Sequence, residues 1–230
     1  MKSQIFKAIS FAFIFATLSN SLKSQTILWQ KSIGGSSTDK ISAAIIDNEG
    51  NILIAGTSGS DISEFKSEDN LGSLDFWIVK LDQDGNIIWE NTIGGNAEDF
   101  AYCVKQTLDG GYIIGGYSFS DNTFDKTSDA FGEQDYWVVK LDYDGNVEWD
   151  KSFGGYDEDL LFDIEVTSDG GYILMGESGS DDNGNKTIER CYSAISWPDY
   201  WFLKLDAAGE IVWQNMVGGI TNDWGREIVN

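Results

Sequence analysis

Beyond residue 26, short apolar segments alternate with polar turns along the whole chain. The segments are bounded by Gly, Asp or Asn and are rich in β-branched, aromatic and aliphatic side chains, as in GYIIGGYS at 111–118 and DYWVVKLD at 135–142. This composition is typical of β-strands, and no sustained period of about 3.6 residues, which would indicate an amphipathic helix, follows the first 26 residues. The pattern therefore predicts an all-β chain.

The segments recur with a period of about sixty residues. Two sets of tryptophans mark this period at intervals of 60 or 64 residues: Trp29, Trp89, Trp149 and Trp213 in one set, and Trp77, Trp137 and Trp201 in the other. The four extra residues of the last interval fall in one enlarged loop between Tyr172 and Trp201. Each repeat contains four strand-like segments in the same order.

The joints between the segments predict how the strands pair. The two short joints read Asp-Gly-Gly, at 109–111 and 169–171, and Asp-Gly-Asn, at 84–86 and 144–146. Asp-Gly followed by Gly or Asn favours positive φ, so both joints should be hairpins. The other two joints are a Gly-Gly crossing of medium length and a long loop, such as 59–74. Four antiparallel strands joined in this way describe the blade of a β-propeller.

The order of these motifs resembles a known family. The run DGGYIIGGYS, followed by DYWVVKLDYDGN, a tryptophan and Gly-Gly within 109–155, is similar to the repeats of about sixty residues in secreted bacterial β-propeller proteins, and it has the rhythm of NHL-type blades. The resemblance covers residues 26–230, which we take as one repeat domain. It implies four-stranded antiparallel blades in which the strand after the Gly-Gly crossing is innermost.

With the strand after each Gly-Gly crossing taken as the first and innermost strand of a blade, the sequence predicts an incomplete ring. Three complete blades are expected at about 39–94, 99–154 and 159–218, with an outer strand at 27–34 and the start of a further blade at 223–230. An open ring leaves sheet edges and blade faces uncovered, and propellers close with about four to eight blades. We therefore expect partners that complete the ring. The remaining blades of a longer chain are the favoured hypothesis, and a second copy is the alternative.

Residues 1–24 have the pattern of a secretory signal peptide. Lys2 and Lys7 accompany an apolar run at 8–18 that is too short to span a bilayer, and small residues follow it. A buried first helix is the alternative. No later segment is apolar enough to be a transmembrane segment. The sequence therefore predicts a protein that is secreted or held at the cell surface, and the family resemblance implies a bacterial source.

The charge and the absence of histidine exclude several classes of function. The 230 residues carry 38 acidic and 15 basic side chains, a formal net charge of −23, and no histidine. Histidine-dependent triads are therefore excluded, and a surface this negative would repel nucleic acid. Acidic residues that repeat in every copy offer no unique asymmetric pair for glycoside hydrolysis. We predict a module that binds an extracellular glycan, protein or cation without catalysis of its own. An accessory or N-terminal part of a carbohydrate-active enzyme and a structural spacer are the alternatives.

Aspartates are the main candidates for a site, on the side of the blades that carries the crossings and long loops. Candidate ligand residues end each crossing: Asp39, Asp99, Asp159 and Asp223. Candidate metal ligands begin and end the long loops: Asp61, Asp75, Asp121, Asp135, Asp181 and Asp199. One hypothesis is a Ca²⁺ site, the only cofactor the sequence suggests. The other is that each aspartate accepts backbone N–H bonds and fixes its own loop, which recurrence in every copy favours.

Three aromatic residues lie outside the repeating pattern of tryptophans. Tyr192 and Trp197 lie in the enlarged loop, and Trp224 follows Asp223. They are candidates for stacking on a sugar or a peptide. The alternative is that they only hold their own loops in place by packing. The repeating tryptophans are attributed to packing between blades.

Overall fold

A computed structural model of the chain describes residues 27–191 and 198–219. The regular structure of these residues is entirely β, which confirms the predicted class, and none of them forms a helix long and apolar enough to cross a membrane. The strands are β1 (Asp39–Ile46), β2 (Ile52–Ser58), β3 (Asp75–Leu81), β4 (Ile87–Ile93), β5 (Asp99–Gln106), β6 (Tyr112–Ser118), β7 (Asp135–Leu141), β8 (Val147–Phe153), β9 (Asp159–Val166), β10 (Tyr172–Ser178), β11 (Asp199–Leu205) and β12 (Ile211–Val217). Contacts divide the chain into residues 1–30 and a compact unit of residues 31–230, and every strand belongs to the second.

The strands form three four-stranded antiparallel sheets, which we call blades 1 to 3. They contain β1–β4, β5–β8 and β9–β12, each in chain order, as predicted for propeller blades. The described residues do not close these blades into a ring. The strand ends form two opposite edges of each blade. One edge carries the two short hairpins, and the other carries the long loop and the crossing.

The first strand of each blade lies against the preceding blade. β5 contacts β1, β2 and β3, and β9 contacts β5, β6 and β7. Because the first strands are the ones that meet from blade to blade, this packing agrees with the innermost position that the family resemblance implies.

The blades are held together by apolar layers in which tryptophan recurs. Trp137 of blade 2 packs on Phe76 of blade 1 with ring centroids 4.6 Å apart, and Trp201 of blade 3 packs on Tyr136 of blade 2 at 4.9 Å. Both tryptophans are completely buried. Large buried rings contribute strongly to such interfaces, so the sixty-residue spacing of the tryptophans follows from repeated packing between blades.

The hairpins follow from their Asp-Gly sequences. The Asp82 carboxylate accepts the N–H groups of Asp84 at 2.9 Å and Asn86 at 2.8 Å, while Gly85 adopts a φ of 80°. Glycine tolerates this left-handed conformation, which a side chain would strain. The Asp-Gly-Asn joint at 84–86 is therefore a turn, and the aspartate that precedes it, Asp82, is occupied by backbone N–H groups of the turn.

The predicted outer strand at 27–34 is not formed. Residues 27–38 contain no strand, and the three sheets of the described chain are made by β1–β12 alone. A strand requires a hydrogen-bonded neighbour, and these sheets provide none for this segment. The predicted signal peptide and the further blade at 223–230 lie outside the described residues.

Candidate functional site

The loop face is the edge of the blades that carries the long loops (59–74, 119–134 and 179–198) and the crossings (94–98 and 154–158). Its register is the same in every blade. Asp39 lies opposite Ser58, which lies opposite Asp75 on the next strand. The same row of Asp, Ser and Asp recurs in the other blades as Asp99, Ser118 and Asp135, and as Asp159, Ser178 and Asp199. Two of the predicted sets of aspartates are thus brought together on one edge.

The first aspartate of each row closes the crossing before it. In blade 1, Asp39 Oδ2 accepts the N–H of Gly35 at 2.7 Å and the Ser60 hydroxyl at 3.0 Å. Its Oδ1 accepts the Ser58 hydroxyl at 2.6 Å. The equivalent N–H donors in the other blades are Gly95, 2.8 Å from Asp99, and Gly155, 2.7 Å from Asp159. Oδ2 of each of these carboxylates is thus occupied by donors of the protein itself, whereas Oδ1 of Asp99 and of Asp159 is buried without a hydrogen-bond partner among the described residues.

The second aspartate of each row holds the end of the long loop. Asp75 accepts the N–H of Leu71 at 2.6 Å, and Asp135 accepts that of Phe131 at 2.7 Å. Asp199 accepts the N–H of Cys191 at 2.9 Å across the enlarged loop. Each contact spans four to eight residues, so this set also fixes loop structure.

The Gly-Gly crossings are explained by the same carboxylates. A Cβ on Gly94 would lie 1.9 Å from Asp75 Oδ1, and one on Gly154 would lie 2.0 Å from Asp135 Oδ1. A Cβ on the second glycine of the pair, Gly95, would lie 2.4 Å from the Cβ of Ser120. No side chain fits at these distances. The Gly-Gly pair is therefore required because the backbone of the crossing passes close to the aspartate and serine side chains.

The remaining candidate residues either lie apart from the aspartate rows or fall outside the described residues. Asp61 and Asp121 are exposed, and Asp181 forms an ion pair with Arg190, whose Nε lies 2.9 Å from Asp181 Oδ1. Within residues 27–191 and 198–219, no group of three or more Asp, Glu or Cys residues is arranged to hold a metal ion. Four candidates lie outside the described residues: Tyr192, Trp197, Asp223 and Trp224.

Each long loop contains a buried lysine that the sequence analysis did not single out. Lys66, Lys126 and Lys186 are only 1–2% exposed and stand sixty residues apart. Their ammonium groups donate to backbone carbonyls of their own loops, as in the 2.7 Å bond from Lys126 to Ser128. Burial lowers the pKa of all three, although surrounding carboxylates favour the charged form. The exact sixty-residue spacing was the signal that could have revealed them.

Burial also shifts the aspartates of the rows. Desolvation raises the pKa of Asp75 and of Asp159 to about 6, despite the hydrogen bonds that oppose it. Asp99 and Asp135 shift in the same direction for the same reason, and Lys126 counteracts part of the effect in both. The interior of the loop face is therefore a repeated network of buried carboxylates balanced by one lysine in each loop.

A cleft of about 440 Å³ opens on the loop face between blades 2 and 3. It is lined by Glu133, Asp157, Glu158, Leu160, Glu177, Gly179, Arg190 and Pro198. Four carboxylates face one guanidinium, which is itself paired with Asp181, so the cleft is acidic. Sequence reasoning missed it because its walls come from two different blades.

Removal of calcium tests the two hypotheses for the aspartates. Because every aspartate of the rows accepts a backbone N–H bond, and because the described residues contain no group of three or more acidic residues arranged to hold a metal ion, we expect EDTA to shift the melting temperature by less than about 2 °C. This is below the shift that about 1 kcal/mol produces. Thermal unfolding followed by circular dichroism, with EDTA and with added Ca²⁺, measures this. A fall of many degrees on chelation would instead establish a structural calcium site.

These features define a repeat protein of propeller-like blades. No protein-family profile matches the chain. Over 234 residues it is 24% identical to an uncharacterized WD repeat-containing protein, L264, of Acanthamoeba polyphaga mimivirus, covering 85% of this chain but only 17% of that protein. A solved structure of a protein of unknown function from Bacteroides caccae aligns with 83% of this chain and 71% of its own, at 13% identity and a TM-score of 0.29.

Proposed function

We propose that this chain is an exported protein-interaction module whose loop face binds a basic segment of an extracellular partner. The repeat propeller-like fold suggests a protein-interaction module in general terms. We assign the chain to the secreted bacterial β-propeller repeats on its motifs, and we assign its export to the pattern of residues 1–24.

The observation that carries the proposal is the acidic cleft between blades 2 and 3. Glu133, Asp157 and Glu158 are exposed at its walls, where they are accessible to a ligand. Leu160 and Pro198 add apolar surface beside them. Carboxylates next to apolar surface suit a lysine or arginine side chain, whose stem packs while its charged end is paired. A formal net charge of −23 would also steer a basic partner towards the chain.

We assign no catalytic role to the four buried row aspartates with raised pKa values. Asp75, Asp99, Asp135 and Asp159 are at most 1% exposed, and each is bound by donors of its own loop. General acid catalysis requires a carboxyl group that reaches the substrate. Their raised pKa values are a consequence of burial, and binding is the function that the accessible groups support.

Binding of a synthetic peptide of alternating lysine and alanine tests the proposal. We expect fluorescence anisotropy to show saturable binding that weakens as salt is added, because exposed charge pairs are screened. The double variant Glu133→Gln/Glu158→Gln should bind at least about tenfold more weakly, which corresponds to about 1.4 kcal/mol. An alternating glutamate–alanine peptide should not bind.

The matched control removes two charges from the opposite edge of the blades. Asp84 and Asp144 are exposed in the hairpins, and Asp84→Asn/Asp144→Asn changes the net charge by the same amount. This variant should retain most of the affinity. An equal loss in both variants would show that only the overall charge attracts the peptide, and it would contradict a site in the cleft.

A further inference from the structure

Five aromatic rings form a continuous cluster near the loop face of blades 2 and 3. Phe100 and Tyr102 of β5 lie 5.1 and 5.5 Å from Tyr117 of β6, measured between ring centroids. Phe119, just after β6, lies 6.2 Å from Tyr117, and Phe162 of β9 lies 5.6 Å from Tyr102. We call these five residues the aromatic cluster.

Three members of the aromatic cluster depart from the sixty-residue repeat. Phe100 and Tyr117 lie opposite each other on β5 and β6, and Phe119 follows them at the end of the sheet. The equivalent positions hold other residue types in the other blades: Lys40, Thr57 and Gly59 in blade 1, and Leu160, Glu177 and Gly179 in blade 3. Those blades form the same sheet without these rings, so the repeated architecture does not require them.

The aromatic cluster is accessible even though blade 2 has a neighbour on each side. Its strand β5 contacts β1 of blade 1 and β9 of blade 3. Phe119 is nevertheless 39% exposed, and the other four rings are half-buried. Because both neighbouring blades are in place, this exposure does not arise from an open end of the described chain.

The aromatic cluster adjoins the acidic cleft. Glu158 lines the cleft and lies close enough to Tyr117 to act on it electrostatically. Burial is the main cause that raises the pKa of Tyr117, and Tyr102, Glu98 and Glu158 add to the shift. A basic side chain in the cleft therefore meets aromatic rings and carboxylates at the same place.

A cation of the protein already lies over one ring of the aromatic cluster. Lys40 Nζ is 5.8 Å from the centroid of Tyr102. The face of an aromatic ring attracts cations, and carboxylates beside it favour the same charge. A guanidinium suits such a site better than an ammonium does, because it is planar, stacks on aromatic faces and is more weakly hydrated.

We propose that the aromatic cluster makes the acidic cleft selective for arginine over lysine. This inference rests on the function proposed above, because it names the basic side chain that the loop face prefers. The guanidinium stacks on the accessible rings of Phe119 and Tyr117 while its N–H groups donate to Glu158. A lysine ammonium in the same place keeps the ion pair but loses the stacking.

Two peptides of equal length test this selectivity, one of alternating lysine and alanine and one of alternating arginine and alanine. Fluorescence anisotropy with the full chain should give a dissociation constant at least about fivefold lower for the arginine peptide, as expected for an exposed cation–π contact. The double variant Tyr117→Leu/Phe119→Leu keeps apolar surface and removes both rings. It should bind the two peptides within about twofold of each other, with little change for the lysine peptide.

Two further variants keep the test interpretable. Phe119→Leu changes only the most exposed ring and should lower the preference for arginine at least about twofold, which provides the test if the double variant does not fold. Tyr143→Leu is the matched control, because Tyr143 is 38% exposed and lies in a hairpin on the opposite edge of blade 2. It should retain the preference, and circular dichroism shows whether each variant is folded.

The outcomes separate this inference from the proposed function. Equal affinity of the unaltered chain for both peptides, or a preference that survives in the folded double variant, would overturn the selectivity and leave the cleft as a site for basic segments. An equal loss of preference in Tyr143→Leu would also contradict a role for the aromatic cluster. Binding of neither peptide would overturn the proposed function and this inference together.

Discussion

Replacing Trp137 with alanine should lower the free energy of unfolding by about 3–5 kcal/mol, the range for a large aromatic side chain removed from a packed core. Trp137 is completely buried, packs on Phe76 across the interface between blades 1 and 2, and donates its indole N–H to Asp150 at 3.0 Å. The substitution removes the packing and leaves the Asp150 carboxylate with one donor fewer. Urea unfolding followed by fluorescence and circular dichroism measures the loss.

Tyr156→Ala is the control for this prediction. Tyr156 is an aromatic residue of the crossing between blades 2 and 3, but it is 69% exposed. Its removal should change stability by no more than about 0.5 kcal/mol, as is usual for surface positions. Similar losses in both variants would contradict the view that the buried tryptophans hold the blades together.

Replacing Lys126 with methionine should cost about 3–5 kcal/mol at pH 7, because it leaves buried carboxylates without their cation. The Lys126 ammonium donates to Ser128 and is attracted by Asp99, Asp135 and Asp150. Methionine keeps most of the volume, so the loss reports on charge and hydrogen bonding more than on packing. Lys151→Met is the control, because Lys151 pairs with an exposed glutamate at the surface and should contribute less than about 1 kcal/mol.

The cost of Lys126→Met should shrink as the solution is acidified from pH 7 to pH 5. Burial already raises the pKa of Asp99 and Asp135 in the folded protein above the usual 3.8, and removing the lysine raises both further. The folded variant therefore takes up protons at a pH at which the unfolded chain does not, and stability rises as pH falls through that range. Chemical unfolding at several pH values measures this, and a cost that is independent of pH would contradict the electrostatic role of Lys126.

The sequence predicted the blades well because the features that define them are local. Each Asp-Gly turn forms a hairpin from about five consecutive residues. The apolar segments on either side of the turn are the strands that pair. The spacing of Trp77, Trp137 and Trp201 then reveals that the same sheet is built three times. The segment at 27–34 shows the limit of this reasoning. Its composition is that of a strand, but strand formation depends on a neighbour that local sequence does not specify.

The candidate site was harder to predict because its properties depend on burial. From sequence, Asp39 was a candidate ligand residue and Asp75 a candidate metal ligand, although recurrence in every copy favoured loop anchoring for both. The hydrogen bonds in the structure show the anchoring contacts. Lys126 was overlooked because lysine in a polar loop is normally solvated. The acidic cleft could not be predicted because Glu133 and Glu158 meet only after two blades have packed together.

The way each long loop is anchored separates the residues that hold it from those that can diverge. The loop of blade 3 contains four more residues than its counterparts. It nevertheless keeps the bond from the Ser180 hydroxyl to Asp159 near its start, the bond from the Cys191 N–H to Asp199 at its end, and the buried Lys186 between them. Insertions between these fixed points leave the blade undisturbed. Natural variation can therefore remodel the loop face one loop at a time, without a change of architecture.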